Sequence, residues 1–292
     1  MGHCRHIGAI TLFPEMLRSI FSTSILGRAA TKGLVQYHTW NLRDFGTGSY
    51  HSVDDYPFGG GGGMVLKPEP LADALDRSMN LLQECTGETP RLLYPSPQGP
   101  RFSQTVAEEW AGSSRPLLFL CGHYEGIDQR ILDEYPLEEW SAGDYVLSGG
   151  ELPCSLMVDA VVRLIPGVLS NESSPVNETF SNGSFDYPQY TRPRVFRGNE
   201  VPEVLLSGDH QAIRRYRENV SRRKQQAVRP DLGGDQASVS PRSSRKRPGL
   251  SERTETLPKP RTPKGRPIFP TKIPWSEGSG FTTGTPLPQW PF

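Results

Sequence analysis

Three loops rich in glycine and proline, each behind a short apolar run, limit what this chain can fold into. They are Tyr94–Gly99 (YPSPQG), Cys121–Asp128 (CGHYEGID) and Trp140–Pro153 (WSAGDYVLSGGELP). In the third, Gly143, Gly149 and Gly150 surround Tyr145-Val146-Leu147, and Gly126 lies upstream. An apolar run this short, closed by paired glycines and a proline, predicts a strand whose backbone is held close to a ligand. One such loop reads equally well as a turn. Three at the ends of successive strands predict one small-molecule pocket, because ligands of open α/β sheets gather at the carboxyl ends of strands.

The rest of the chain supplies the sheet. His6–Phe13 is a compact apolar run followed by Pro14 and an amphipathic Glu15–Phe21, which predicts strand, turn and helix. Leu34–Trp40 alternates as a second strand. Helices are expected over Pro70–Leu82, Gln104–Ala111, Asp128–Tyr135 and Glu151–Ile165, and strands over Arg91–Tyr94, Pro116–Cys121 and Tyr145–Leu147. Strands alternating with helices predict an α/β fold with a mostly parallel sheet. Asn171–Tyr190 is polar and without period, and reads as a linker or lid. A basic helix follows Glu200–Leu206 and runs through Lys224, with Ser207 or Asp209 as its cap.

Formal charge sums to zero, but unevenly: Gly233–Phe292 holds ten Lys/Arg against four Asp/Glu, leaving 22 against 28 before it. A neutral total therefore does not exclude nucleic acid, which local basic patches decide. That same tail contains eleven of the 28 prolines and few core residues, so disorder is expected there. Four separated cysteines with no CxxC pair argue against structural zinc and a disulfide framework, and favour a reducing compartment. No apolar run reaches spanning length and no secretion signal opens the chain, so a soluble cytoplasmic protein is expected.

Other clusters are less specific. The run Gly59–Gly63 lacks GK[ST] and GxGxxG context, so a flexible or closely approached loop is a better reading than a phosphate cradle. Asp54-Asp55 just before it face a ligand or form a solvated turn. The helix with Arg214, Arg215, Arg217, Arg222, Arg223 and Lys224 has only Glu218 in local compensation, which favours phosphate contact over a merely solvated face. Arg163 lies late in an apolar helix one turn from Asp159; an internal ion pair and a carboxylate arriving from the lid segment are both compatible with that spacing.

Eight segments in unbroken order carry a resemblance. They are LFPEM (12–16), VDDYPFGGGGGM (53–64), SPQG (96–99), CGHYEGID (121–128), GDYVLSGGELP (143–153), IPGVL (165–169), YTRP (190–193) and LLSGDH with IRRYR (205–217). Over about residues 6–225 the chain resembles the bacterial tRNA (guanine-N1)-methyltransferases, the TrmD family of the SPOUT superfamily. That resemblance implies a trefoil-knotted α/β methyltransferase domain over 1–169, a linker or lid over 170–192, a short basic helical tRNA-binding region over 193–232 and a tail over 233–292. It further implies S-adenosylmethionine as methyl donor, tRNA as substrate, a homodimer with sites at the subunit interface, and magnesium.

Residue by residue, the resemblance assigns the donor site to Tyr94, Pro95, Ser96, Gly122, Tyr124, Glu125, Gly126, Ala142, Gly143, Asp144, Tyr145, Val146, Leu147, Gly149, Gly150 and Pro153. Asp54 matches an acidic position near the substrate and Arg163 the arginine beside the reacting base. The family's general base is an aspartate; the matching position here is Glu178, in NETF, with Asp186 as the fallback. Arg192, Arg214, Arg215 and Arg217 are the RNA-binding candidates, and no metal-ligating residues are assigned. A second departure is the tail, which turns Pro/Ser-rich where the family continues as a folded helical domain.

Overall fold

Five parallel strands form the frame, in the order β2 (Val35–Asn41), β1 (Arg5–Thr11), β6 (Leu117–Leu120), β5 (Arg91–Pro95) and β7 (Glu138–Trp140). The computed structural model describes residues 4–169 and 185–233. Residues 170–184 of the expected linker or lid, and the tail beyond 233, lie outside the described residues.

Alternation along the strands explains the layers. Ile7 and Ala9 of β1, Leu117 and Phe119 of β6 and Leu93 of β5 enter one core, while Ile10, Leu118, Leu120 and Leu92 enter a second. β6 is buried at every position, as a central parallel strand covered on both faces must be. The first core takes α1 (Pro14–Phe21), α2 (Ser24–Thr31), α4 (Gln104–Gly112) and α6 (Glu151–Val162). The second takes α3 (Pro68–Thr86) and α5 (Gln129–Glu134). Gly8 permits this packing, since a Cβ there would lie 2.7 Å from the Trp40 ring.

Local signals account for most boundaries. Pro14 and Pro68 occupy first helical positions, and α3 stops at Gly87, whose φ of 76° forms the left-handed C-cap. Asp209 proves to be the cap of α7 (His210–Val228): its Oδ1 accepts from Gln211 N at 2.9 Å and Ala212 N at 3.0 Å. Asp209→Ala is expected to cost about 1 kcal/mol, read as earlier thermal loss of helical circular dichroism. The hairpin β8 (Val195–Phe196) to β9 (Asn199–Glu200) turns on Arg197 and Gly198, with φ of 51° and 82° as a type I′ turn requires.

Two sequence expectations need correction, and two elements were not anticipated. Tyr145–Leu147 is not a strand: β7 pairs Leu93 with Glu138 and Pro95 with Trp140, taking the place beside β5. Tyr145–Leu147 instead follows a tight turn in which Tyr145 N donates to Gly143 O, and Val146 is 84% exposed. α6 ends at Val162 rather than Ile165, because Pro166 would clash with the carbonyl of Val162 in a continued helix. The short helix α2 and the two-stranded pairing of β3 (Asp54–Asp55) with β4 (Val65–Leu66) gave no periodic signal long enough to read.

Candidate functional site

The carboxyl ends of β6, β5 and β7 are neighbours in the sheet, so their three loops meet. Main-chain bonds join them: Gly150 N donates to Gly122 O at 2.9 Å, Ser96 N to Trp140 O at 3.0 Å, and Phe102 N to Ser141 O at 2.8 Å. Between them lies an open cleft of about 260 Å³, near the lower end of the roughly 300–1,000 Å³ of small-molecule sites.

Of the sixteen residues assigned to the donor site by resemblance, all but Asp144 line this cleft. The Asp144 carboxylate pairs with Arg101, which holds it below the usual carboxylate range. Six further lining residues were not picked out from the sequence: Pro97, Gln98, His123, Trp140, Ser141 and Ser148. Their signal was adjacency, since each sits inside one of the three loops. Tyr145, Val146 and Leu147 offer the cleft an apolar surface that is 52%, 84% and 41% exposed. Opposite in character is Glu125, whose N–H is bonded to Met64 O at 3.0 Å.

The glycines act mainly on the protein itself. A Cβ at Gly122 would stand 2.9 Å from the Tyr94 ring, and one at Gly150 would stand 2.7 Å from Cys121 Cα. A Cβ at Gly149 would enter the His123 ring. The sequence reading took these glycines as backbone approaching a ligand; their first requirement is close approach of one loop to another. Tyr94 lies across this junction, and burial first, then Glu139, raises its phenol above the ordinary value. The Cys121 thiol is buried and hydrogen-bonded to Cys154, and that bond, then burial, pushes its pKa well up. It is a packing residue rather than a nucleophile.

The glycine run reaches the rim of the cleft through β4. Leu66 N donates to Gly126 O at 3.0 Å, and Asp54 pairs with Leu66 across the hairpin. Asp54 is thus half-buried and one strand from the cleft wall. Gly59, Gly60 and Gly61 adopt positive φ in open space, as a loop free of tight packing would.

Other candidates are not gathered here. Arg163 is the C-cap of α6, whereas the cleft lies at that helix's opposite end. Twelve helical residues separate the two by about 18 Å along the axis. Asp186 accepts a bond from Tyr187 N at 2.8 Å, and its neighbour Phe185 is held by α7, with Phe185 N donating to Gln225 Oε1 at 3.3 Å. Glu178 lies outside the described residues. Arg192, Arg194 and Arg217 line a second concavity of about 350 Å³ together with Tyr190. Arg217 lies 4.3 Å from the Tyr187 ring centroid, with its Nε buried and without a hydrogen-bond partner among the described residues. Arg214 and Arg215 are exposed on the same helix. No helix among the described residues is long and apolar enough to cross a membrane.

A family model described as tRNA (Guanine-1)-methyltransferase TrmD matches residues 5–235. Among curated proteins, the tRNA (guanine-N(1)-)-methyltransferase of Alkaliphilus metalliredigens is 50% identical over 226 residues, which is 76% of this chain and 89% of that one. A protein of the same name from Brevibacillus brevis is 50% identical over 227 residues, 77% of this chain and 90% of that one. The one from Bacillus cereus strain G9842 is 48% identical over 229 residues, 78% and 92% respectively.

Proposed function

The chain belongs to the tRNA (guanine-1)-methyltransferase family, and from that premise we propose that it methylates N1 of the guanosine 3′-adjacent to the anticodon in tRNA, using S-adenosylmethionine. The observation that carries the reading is the cleft built by the loops after β5, β6 and β7. Its residues fit the donor: exposed Tyr145, Val146 and Leu147 would cover an adenine and ribose, loop amides and carbonyls surround them, and the Glu125 carboxylate would meet the donor's positive charge. Bound there, S-adenosylmethionine supplies an electrophilic methyl carbon on a sulfonium. Among the described residues no three His, Cys, Asp or Glu side chains converge to hold a metal ion, so no step is assigned to magnesium.

Guanine N1 carries a proton and is a poor nucleophile at neutral pH. A carboxylate of this chain, Glu178 or in its place Asp186, accepts that proton as the methyl–nitrogen bond forms, which is worth typically about 10²–10⁴-fold. Arg163 stabilises the charge growing on O6. Within one protomer Arg163 is a helix length from the cleft, which supports a two-fold homodimer in which each site combines one subunit's cleft with its partner's α6 terminus. Asp54, on the hairpin at the cleft rim, is assigned to the incoming base.

The domain reading follows: 1–169 carries the trefoil-knotted SPOUT chemistry, 170–192 acts as lid, 193–232 grips RNA and 233–292 is a tail. Work on tRNA also fits the cytoplasm. Arg192 and Arg217 in the second concavity, with exposed Arg214 and Arg215, form the proposed phosphate-binding face. Converting Arg214, Arg215 and Arg217 to alanine is expected to weaken tRNA binding and flatten the log–log salt slope by about two; an unchanged slope returns α7 to a solvated face.

The deciding assay is transfer of labelled methyl to tRNA transcripts that carry or lack that guanosine, with the product mapped. Label at another position would indicate a different SPOUT RNA methyltransferase, and donor binding without turnover an inactive RNA-binding relative.

A further inference from the structure

One cleft residue is tied to a buried polar chain that the reaction above does not use. Glu151, the first residue of α6, has a carboxylate only 4% exposed. Thr11 Oγ1, at the end of β1, donates to Glu151 Oε1 at 2.6 Å. That hydroxyl also accepts from Phe13 N at 2.9 Å, so its proton is committed to the carboxylate. On the other oxygen, His123 Nε2 lies 2.7 Å from Glu151 Oε2. A carboxylate can only accept, so the shared proton is assigned to His123 Nε2.

This one carboxylate therefore joins three elements: the end of β1, the loop after β6 and the start of α6. The two loops it ties both line the cleft, His123 in one and Gly149 in the other, and the two residues form an antiparallel bridge. Space there is already filled. A Cβ at Gly149 would meet the His123 ring and stand 2.7 Å from Glu151 Oε2, while the Phe13 ring packs edge-on at 5.0 Å between centroids. Burying a carboxylate is costly, and a well-packed apolar side chain would often be cheaper. What the carboxylate adds is direction: it accepts from both sides and fixes where the His123 ring stands.

We propose that Glu151 and His123 are positioning residues for the donor cleft: Glu151, through His123, sets the spacing of the loops Cys121–Gly126 and Ser148–Pro153. The pair takes no proton from substrate. The inference rests on the donor reading of the cleft, and the experiment separates the two.

Titration calorimetry of S-adenosylmethionine without RNA is paired with steady-state assays on the full chain. Wild type is expected to bind; no binding by well-folded wild type would defeat the donor reading itself. Glu151→Ala and His123→Ala are each expected to weaken donor binding and raise its KM about tenfold, with kcat and the KM for tRNA moving less than about twofold. The double variant should lose no more than either single one, since one residue acts through the other. His123→Gln, whose amide nitrogen can reach the place of Nε2, should recover most of the loss, and it keeps the test open if an alanine variant fails to fold. Unaltered donor affinity in folded variants that merely melt earlier would overturn the proposal, as would a loss carried by kcat, or strict additivity of the two substitutions.

Discussion

Mixing two impaired variants, Arg163→Ala and Gly150→Ala, at a donor concentration too low to fill the Gly150→Ala cleft is expected to raise methyl transfer to about one quarter of the wild-type rate. Each defect has its own cause. A methyl at Gly150 would stand 2.7 Å from Cys121 Cα and 3.0 Å from Gly122 N; both are main chain and cannot swing aside. The loops must part, and donor affinity should fall at least tenfold. Loss of Arg163 leaves the cleft intact, so donor affinity should hold while turnover falls by about 10²–10³-fold, the cost of removing one charge-stabilising donor. In a two-fold dimer half of the randomly mixed molecules are hybrids, each with one composite site intact, hence the quarter. The measurement is initial rate against mixing ratio after subunit exchange. No recovery would mean that cleft and arginine act within one protomer, against the separation along α6.

The second large effect concerns the base. Glu178→Gln is expected to lower turnover by about 10²–10⁴-fold while calorimetry shows donor affinity retained, because in the proposed role the substitution removes proton acceptance alone. Asp186→Asn is expected to cost less. Its side chain already accepts from Tyr187 N, and its neighbour Phe185 is held by Gln225 of α7. A severe Asp186→Asn loss beside a mild Glu178→Gln one would exchange the two roles. Glu178→Asp, which keeps the carboxylate and shortens the side chain by one methylene, should stay within about tenfold of wild type.

How far the site was legible follows from what kind of signal each part leaves. Tyr94, Gly122, Glu125 and Gly150 sit in loops whose glycines and prolines stand out by composition, and all four line the cleft. His123 and Glu151 carry no such mark. A histidine beside a glycine and a glutamate opening an apolar helix are ordinary locally, and only the approach of β1, the β6 loop and α6 makes them a pair. Tyr145–Leu147 misled because an apolar triplet has the same composition whether it fills a core or faces a ligand. β7, EEW, was passed over for the converse reason: two of its three side chains are carboxylates, yet its backbone completes the sheet beside β5.

By itself the sequence determined the alternation of strands and helices, the apolar runs of β1 and β6, the capped start of α7 and the three glycine- and proline-rich loops, since each depends on neighbours along the chain. The order β2-β1-β6-β5-β7, the exclusion of Asp144 from the cleft, the helix length between Arg163 and the cleft, and the burial of Glu151 were decided only in three dimensions. These depend on which distant segments share a surface. Periodicity records what each segment must bury, but not the partner against which it does so.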